Sequence, residues 1–207
     1  MNGMIRPAYE DDVAAVVAVH RASFPGFFLT SLGPRFLATF YAGLVRRELG
    51  ILLVAVRDGE VVGFVGGSPD QRRFYRSLVR RHGARLALAV LPALVRHPAS
   101  AGRVLRGRER LHADHDPPST PACLMSLAVD PAVQAHGYGE ALVRAFDVEV
   151  RRRGGAGYVL TTDAVDNDAV NAFYLRLGLV RTRTSVTREG RALHEYTRRW
   201  TDEGVPS

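Results

Sequence analysis

The stretch Gln134-Ala-His-Gly-Tyr-Gly139 lies between a short apolar run, Cys123 to Val129, and a helical pattern that continues to about Arg153. A strand, a tight glycine turn and a helix in this order form an anion site. The first turn of a helix leaves backbone N–H groups without partners, and the helix dipole adds partial positive charge there. Gly137 and Gly139 remove the side chains that would keep a phosphate away from these donors. The stretch therefore predicts a phosphate-binding turn.

The helix after the turn has one apolar face, because Gly139 falls in line with Leu142, Val143, Phe146 and Val150. Gly139 on this face is expected to let the helix pack close to a sheet. The same residues exclude two common phosphate loops. The chain has no lysine, so a Walker A loop is absent, and Leu142 replaces the third glycine of a dinucleotide fingerprint.

What remains is Gln-x-x-Gly-x-Gly after the strand end Leu-Ala-Val-Asp-Pro131, a pattern that resembles the pyrophosphate-binding motif of the GNAT superfamily of N-acetyltransferases. A second stretch, Asn167-Asp-Ala-Val-Asn-Ala-Phe-Tyr-Leu-Arg-Leu-Gly-Leu179, resembles the family's Asn-x-x-x-x-x-x-Tyr-x-x-x-Gly-Phe signature, with Leu179 for the final Phe. The resemblance covers about residues 4–68 and 121–199. It implies an α/β GNAT fold: a mixed central sheet of about six to seven strands flanked by helices, with a helical insertion between strands 3 and 4.

Length and composition fit one globular domain. The chain has 207 residues, of which 46% are hydrophobic, so we expect a single domain over residues 1–200 and a loose tail over 201–207. No apolar run follows a positive N-terminus, and no stretch approaches the ~20 apolar residues of a membrane span. The one cysteine, Cys123, excludes an internal disulfide. These features predict a cytoplasmic protein.

Periodicity predicts the elements of the common core. The expected strands are Met4–Ala8, Ile51–Arg57, Glu60–Ser68, Cys123–Val129, Tyr158–Asp163, Leu179–Thr187 and Ala192–Arg199; the other expected helices are Asp11–Ser23, Pro34–Glu48 and Asn167–Leu177. The phenylalanines around Pro25-Gly26 either pin this loop to the core or, as the resemblance implies, line an acceptor site.

The positive charge is concentrated in one segment. All 28 basic residues are arginine, and residues 70–110 hold eleven of them against Asp70 and Glu109, a net +9 in a chain of +7. This segment belongs to an insertion at about 69–118, for which we expect helices at about 71–81, 84–96 and 99–111, with a kink or a new start at Pro92. Its apolar run Leu86–Val95 could pack within the domain, form a homodimer contact or lie on a membrane surface. Nucleic-acid binding has only the charge in its favour.

The resemblance implies acetyl transfer from acetyl-CoA to a primary amine by direct attack, with no metal. In the family the strand before the glycine turn diverges from its neighbour, so free backbone groups of Leu127, Ala128 and Val129 would bind the pantetheine arm and the acetyl oxygen. The pyrophosphate would lie on Gln134, Ala135, His136, Gly137, Tyr138, Gly139 and Glu140. Tyr174 would be the general acid for the coenzyme A thiolate. Asn167 would contact the cofactor arm and could also cap its helix.

The general base is left open. The family glutamate five residues before the matched asparagine falls on Thr162, which cannot serve. Asp163 is expected on the other face of its strand. Glu195, His194, His112 and a water chain remain. The run His112-Ala-Asp-His-Asp116 lacks a second half for a metal site, and Cys123 is expected to be buried and inert.

The expected acceptor is a small amine that carries negative charge, such as an amino sugar derivative, because the +9 segment is expected near the acceptor entrance. The alternatives are a protein or peptide amino group, and a non-catalytic module that binds acyl-CoA or a membrane. The presence of Tyr174, the expected general acid, argues against a non-catalytic module. The absence of a glutamate at position 162, which is Thr162, argues for one.

Overall fold

Seven strands form one mixed sheet in the computed structural model, which describes residues 3–46, 48–96, 122–187 and 190–200. The strands are β1 Gly3–Pro7, β2 Ile51–Arg57, β3 Glu60–Ser68, β4 Cys123–Val129, β5 Gly157–Asp163, β6 Val180–Val186 and β7 Ala192–Arg199. Their order across the sheet is β1-β2-β3-β4-β5-β7-β6. The β4–β5 pair is parallel and the other pairs are antiparallel. The predicted α/β class is therefore confirmed.

Within the described residues, six α-helices connect and cover the strands: α1 Val13–Ser23, α2 Phe28–Ser31, α3 Pro34–Val45, α4 Gln71–Arg96, α5 Tyr138–Arg152 and α6 Asp168–Arg176. The prediction of separate helices at 71–81 and 84–96 is wrong, because α4 is continuous through Gly83 and Pro92. A glycine inside a helix costs only about 1 kcal/mol, which the packing of α4 on α3 offsets. The predicted third helix, 99–111, lies outside the described residues.

Each face of the sheet has its own core. On the α1 face, Val16 of α1 and Leu37 of α3 pack with Val54, Phe64 and Ala128 of the sheet. The opposite α5 face buries the predicted apolar stripe of α5 against β2, β3 and β5, together with Tyr174 and Tyr196; the stripe residues buried there are Leu142, Phe146 and Val150. Alternation along β5 and β7 then assigns the next side chains. Leu160 and Tyr196 belong to the α5 face, so Thr161, Asp163 and Glu195 lie on the α1 face.

The parallel pair at the centre of the sheet is joined at one point. Cys123 is opposite Val159, and β4 has no further partner on β5. β5 remains paired with β7 along its full length, Gly157 to Asp163. The two strands therefore diverge beyond Cys123 and leave a gap in the sheet that opens toward the glycine turn.

Candidate active site

The backbone of β4 presents alternate residues to this gap. The N–H of Asp130 donates to Val62 O at 2.8 Å, so the 130–62 and 128–64 pairs carry the hydrogen bonds between β4 and β3. The backbone groups of Leu127 and Val129 therefore face away from β3 and into the gap. Ala128 differs from the prediction, since its backbone groups face Phe64 on β3 and are not free for a ligand.

The glycine turn closes the end of the gap with two residues of positive φ, Ala135 at 66° and Gly137 at 79°. Gly137 occupies the N-cap position of α5, where the left-handed backbone favours glycine. Its carbonyl accepts from Ala141 N at 3.0 Å, the first bond of the helix. The N–H groups of Tyr138, Gly139 and Glu140 precede this bond and have no partner within the helix. Such a run of free amides at a helix N-terminus suits an anion.

The side chains of the turn are used to hold its shape. Gln134 Nε2 donates to Val129 O at 3.3 Å, and His136 Nδ1 lies 2.8 Å from Gln134 O. Tyr138 is buried, with its ring against Gly3 of β1. Glu140 forms an exposed ion pair with Arg144 at 2.7 Å. The turn therefore offers an anion its backbone donors.

Gly139 does not have the packing role expected of it. A Cβ built at this position would lie 3.5 Å from the ring of Phe173 and 4.0 Å from Val129, which are ordinary contacts. The protein itself therefore has room for a methyl group, and closeness to the sheet does not require glycine. The remaining reason for glycine is the open approach to the free N–H groups.

We expect Gly139→Ala to leave the fold intact and to weaken acetyl-CoA binding about tenfold, because the methyl group would stand between a phosphate and its donors. Thermal unfolding should show equal or higher stability, since alanine is the better helix former by about 1 kcal/mol. Calorimetric titration with acetyl-CoA measures the affinity. Gly83→Ala in α4, where a Cβ meets only Val79 at 3.8 Å, is the matched control. Unchanged affinity in Gly139→Ala would contradict a phosphate at this helix end.

Asn167 stands at the N-cap position of α6, but its side chain does not cap the helix. Its Nδ2 instead donates to Asp163 O at 3.0 Å and to Thr162 Oγ1 at 2.9 Å. Asn171 Nδ2 donates to the same Asp163 carbonyl at 3.1 Å and accepts at Oδ1 from the Tyr196 hydroxyl at 3.0 Å. Asn167 therefore occupies the N-cap position that is one of its two expected roles, but without the side-chain capping bond. The asparagines fix the end of β5 to the start of α6 and hold Thr162 in that network.

Tyr174 has a buried ring and an available hydroxyl. The ring is 6% exposed and contacts Phe173 and Tyr196. Among the described residues, the Tyr174 hydroxyl has no hydrogen-bond partner. It is also not a fully buried unpaired atom, since within the same residues only His20 Nε2 is both fully buried and without a partner. The Tyr174 hydroxyl therefore reaches accessible space. Burial, and secondly Tyr196, raises the pKa of Tyr174 above its ordinary value, so the phenol stays protonated at neutral pH.

The candidate bases occupy different environments. Asp163 is held by both arms of Arg191, with Nη2 to Oδ2 at 2.6 Å. Glu195 accepts from Thr182 Oγ1 at 3.1 Å and from Arg183 Nη2 at 3.2 Å. His194 lies on the α5 face beside Tyr196 and contacts Thr184 Oγ1 at 2.9 Å. His112 lies outside the described residues.

Of Asp163 and Glu195, Glu195 lies nearer along the sheet to the point where β4 and β5 part. It pairs with Thr161, two residues or about 7 Å beyond Val159 along β5. Burial, and secondly the charge of Glu195, raises the pKa of the Cys123 thiol to about 12. Cys123 is thus a buried, protonated thiol, and the carboxylate of Glu195 lies close enough to act on it.

A bridge that local sequence does not signal joins two loops on the α1 face. While Arg191 pairs with Asp163, its guanidinium carbon lies 5.2 Å from the ring centre of Phe27. Phe27 is 41% exposed, whereas Phe24 behind it packs on His20 and the α1-face core. We call Phe27, Arg191 and Asp163 the loop bridge. Phe24 thus anchors the loop to the core, and Phe27 contacts Arg191 of the other loop; that these phenylalanines line an acceptor site stays a prediction.

Within the described residues, no group of three or more histidine, cysteine, aspartate or glutamate side chains could hold a metal ion. The same ranges contain no helix whose length and apolar character would let it cross a bilayer. The run from His112 to Asp116 lies outside the described residues.

A family model of the acetyltransferase (GNAT) domain matches residues 101–180, which include both sequence motifs. The match begins inside the segment taken as an insertion, and its first residues, 101–121, lie outside the described part. No curated protein sequence is a significant match to the chain.

Solved structures share the fold over nearly the whole chain. Ard1 from Thermoplasma volcanium has a TM-score of 0.63 and 18% identity, covering 98% of this chain and 100% of its own. The ribosomal-protein-S18-alanine N-acetyltransferase from Escherichia coli has a TM-score of 0.59 and 16% identity, covering 99% of each chain. An aminoglycoside 6'-acetyltransferase type Ii has a TM-score of 0.60 and 18% identity, covering 95% of this chain and 96% of its own.

At these identities the structures establish the fold alone, and the domain model matches 80 of the 207 residues. The diverging central strands β4 and β5, the glycine turn before α5 and Tyr174 all lie within these matched residues. Residues 101–180 are therefore similar to the GNAT acetyltransferase domain, and the chain shares its fold with acetyltransferases of known structure.

Proposed function

We propose that the protein transfers an acetyl group from acetyl-CoA to the primary amine of a small acceptor such as an amino sugar. The gap between β4 and β5 suits the pantetheine arm, with the free amides of Leu127 and Val129 toward the thioester. Those amides would stabilise the negative charge that develops on the acetyl oxygen. The free N–H groups at the start of α5 would hold the pyrophosphate.

Two side chains would move the protons. The amine nitrogen attacks the acetyl carbon, the carbon–sulfur bond breaks, and the thiolate leaves. Glu195 would take the proton from the attacking amine, directly or through water. The Tyr174 hydroxyl would donate to the leaving sulfur. Because burial raises the pKa of Tyr174, full transfer to a thiolate of ordinary pKa ~8.5 is uphill, and a strong hydrogen bond to the developing thiolate is the larger contribution.

The loop bridge is the observation that favours a small acceptor. Phe27, Arg191 and Asp163 join the loop after α1 to the β6–β7 hairpin across the α1 face, so an extended peptide would have to break this contact. The basic segment no longer supports an anionic acceptor, because its described arginines lie on the exposed face of α4. The carboxylates of Asp163 and Glu195 on the α1 face suit an amine, which arrives protonated.

A peptide amine is the second candidate, since the Escherichia coli structure of the same fold is a ribosomal-protein alanine N-acetyltransferase. Coenzyme A release would distinguish the two acceptors. We expect release with amino sugars and none with peptides that have a free N-terminus. Arg191→Ala should raise KM for the small amine about tenfold, because the loop bridge no longer closes over it, and should leave KM for acetyl-CoA unchanged.

The matched control is Arg6→Ala, which removes another paired arginine that bonds both oxygens of an aspartate, Asp12, at 2.6 and 2.8 Å. This change is distant from the gap and should leave both KM values unchanged. Peptide acetylation by the wild type at the rate of the small amines would overturn the acceptor class while leaving acetyl transfer in place.

A further inference from the structure

The exposed side of α4 changes from basic to apolar along one row of residues. Arg72, Arg76, Arg80, Ala84 and Leu88 follow one another at intervals of four and are all exposed. Residues four apart are neighbours on a helix surface, so they form a continuous row about 24 Å long. Leu88 is 66% exposed at its end. The row is therefore cationic over its first half and apolar over its second.

Further arginines surround the basic half of this row. Arg73, Arg81 and Arg85 are also exposed, and α4 contains no acidic residue. Among the described residues, Arg81 is the α4 arginine that forms an ion pair: its Nη2 lies 3.9 Å from Glu48 Oε2, a long distance for such a pair. Like charges four residues apart destabilise a helix. Burial, and then the charges of Arg46, Arg85 and Arg81, lowers the pKa of His82, which reflects the same positive field.

The arginines also border a concave surface. An open cleft between α4 and the turn after α3 is lined by Glu48, Leu49, Arg73, Arg76, Ser77, Arg80 and Arg81. Four guanidinium groups around one concavity provide the forked donors that bind phosphate oxygens. None of these lining residues belongs to β4, β5 or the glycine turn, so the cleft is separate from the candidate active site.

We propose that this row of α4, with its arginine-lined cleft, docks the enzyme on an anionic phospholipid surface. The guanidinium groups bind headgroup phosphates while Leu88 enters the boundary with the acyl chains. A second copy of the chain would bring arginines against arginines. A nucleic-acid backbone would match the charge but would leave Leu88 in water, whereas a lipid surface accommodates both halves of the row.

Sedimentation with vesicles tests this docking. The folded full-length protein is mixed with phosphatidylcholine vesicles that contain or lack phosphatidylglycerol, at about 0.1 M salt. We expect binding to the anionic vesicles alone. Arg72→Gln/Arg76→Gln/Arg80→Gln should weaken it about 100-fold, since each cation near such a surface contributes about a factor of five. Leu88→Gln should weaken it about tenfold.

The matched control is Arg21→Gln/Arg35→Gln/Arg176→Gln, which removes the same charge from exposed positions on other helices. It should bind within a factor of about three of the wild type. An equal loss in this control, or no binding of the wild type, would overturn the proposal. So would tighter binding to duplex RNA than to the vesicles, with Leu88→Gln unaffected.

Discussion

Replacing Tyr174 with phenylalanine is expected to lower kcat by about 100-fold or more and to leave the affinity for acetyl-CoA nearly unchanged. Loss of one positioned hydrogen-bond donor to a developing anion typically costs a factor of this size. The change should be structurally mild, because the buried ring remains and the hydroxyl has no hydrogen bond to lose among the described residues. Steady-state release of coenzyme A measures kcat, and thermal unfolding confirms the fold.

Tyr196→Phe is the matched control, since it removes a neighbouring hydroxyl that does have a structural partner, Asn171 Oδ1 at 3.0 Å. We expect this variant to lose about 1 kcal/mol of stability and to keep most of its kcat. If Tyr174→Phe retained kcat within a factor of two, the leaving thiolate would need another source of protons.

Glu195→Gln is expected to reduce kcat/KM for the amine about 100-fold at pH 7, because the acceptor would arrive protonated and find no base. The deficit should shrink as the pH rises toward about 10, where an alkyl amine loses its proton without help. A pH profile of kcat/KM from pH 6 to 10 gives this result, and a structural defect would not be repaired by high pH.

The variant Asp163→Asn distinguishes the role of Asp163 from that of Glu195, the other carboxylate on the α1 face. Asp163 is engaged by Arg191 in the loop bridge, so this variant should raise KM for the acceptor and show no recovery at high pH. If the recovery appeared in Asp163→Asn and was absent from Glu195→Gln, the two roles would be exchanged.

Local pattern was sufficient for the core strands. The limits of β2, β3, β4 and β7 agree with the prediction, because apolar runs and the Asp58-Gly59 turn fix where each strand begins and ends. Local sequence does not predict the continuity of α4, since Gly83 and Pro92 are residues that usually interrupt a helix. The packing of α4 on α3, which offsets the cost of Gly83, is not visible in the sequence.

The candidate site also has features that local sequence predicts and features that it does not. Gly137 and Tyr174 carry strong motif signals, and the structure gives the first a positive φ and the second a free hydroxyl. The contact between Phe27 and Arg191 joins residues far apart in the chain and could not be read from either loop. Sequence alone does not distinguish Ala128 from Leu127 and Val129, because the direction of each backbone group depends on the register of β4 with β3.

The pairing of β4 with β5 through one residue pair affects how firmly the two halves of the sheet are joined. Backbone hydrogen bonds unite β1 to β4 as one unit and β5 to β7 as another. Among the described residues, the strand pairing between the two units is Cys123 with Val159. Elsewhere the two units are held together by side chains and helices. An extended, amide-bearing arm lying in the gap would hydrogen-bond to β4 as an added strand does. In that arrangement the bound arm takes the place of a strand in the gap. Each catalytic cycle then forms and breaks the backbone hydrogen bonds that link this arm to β4.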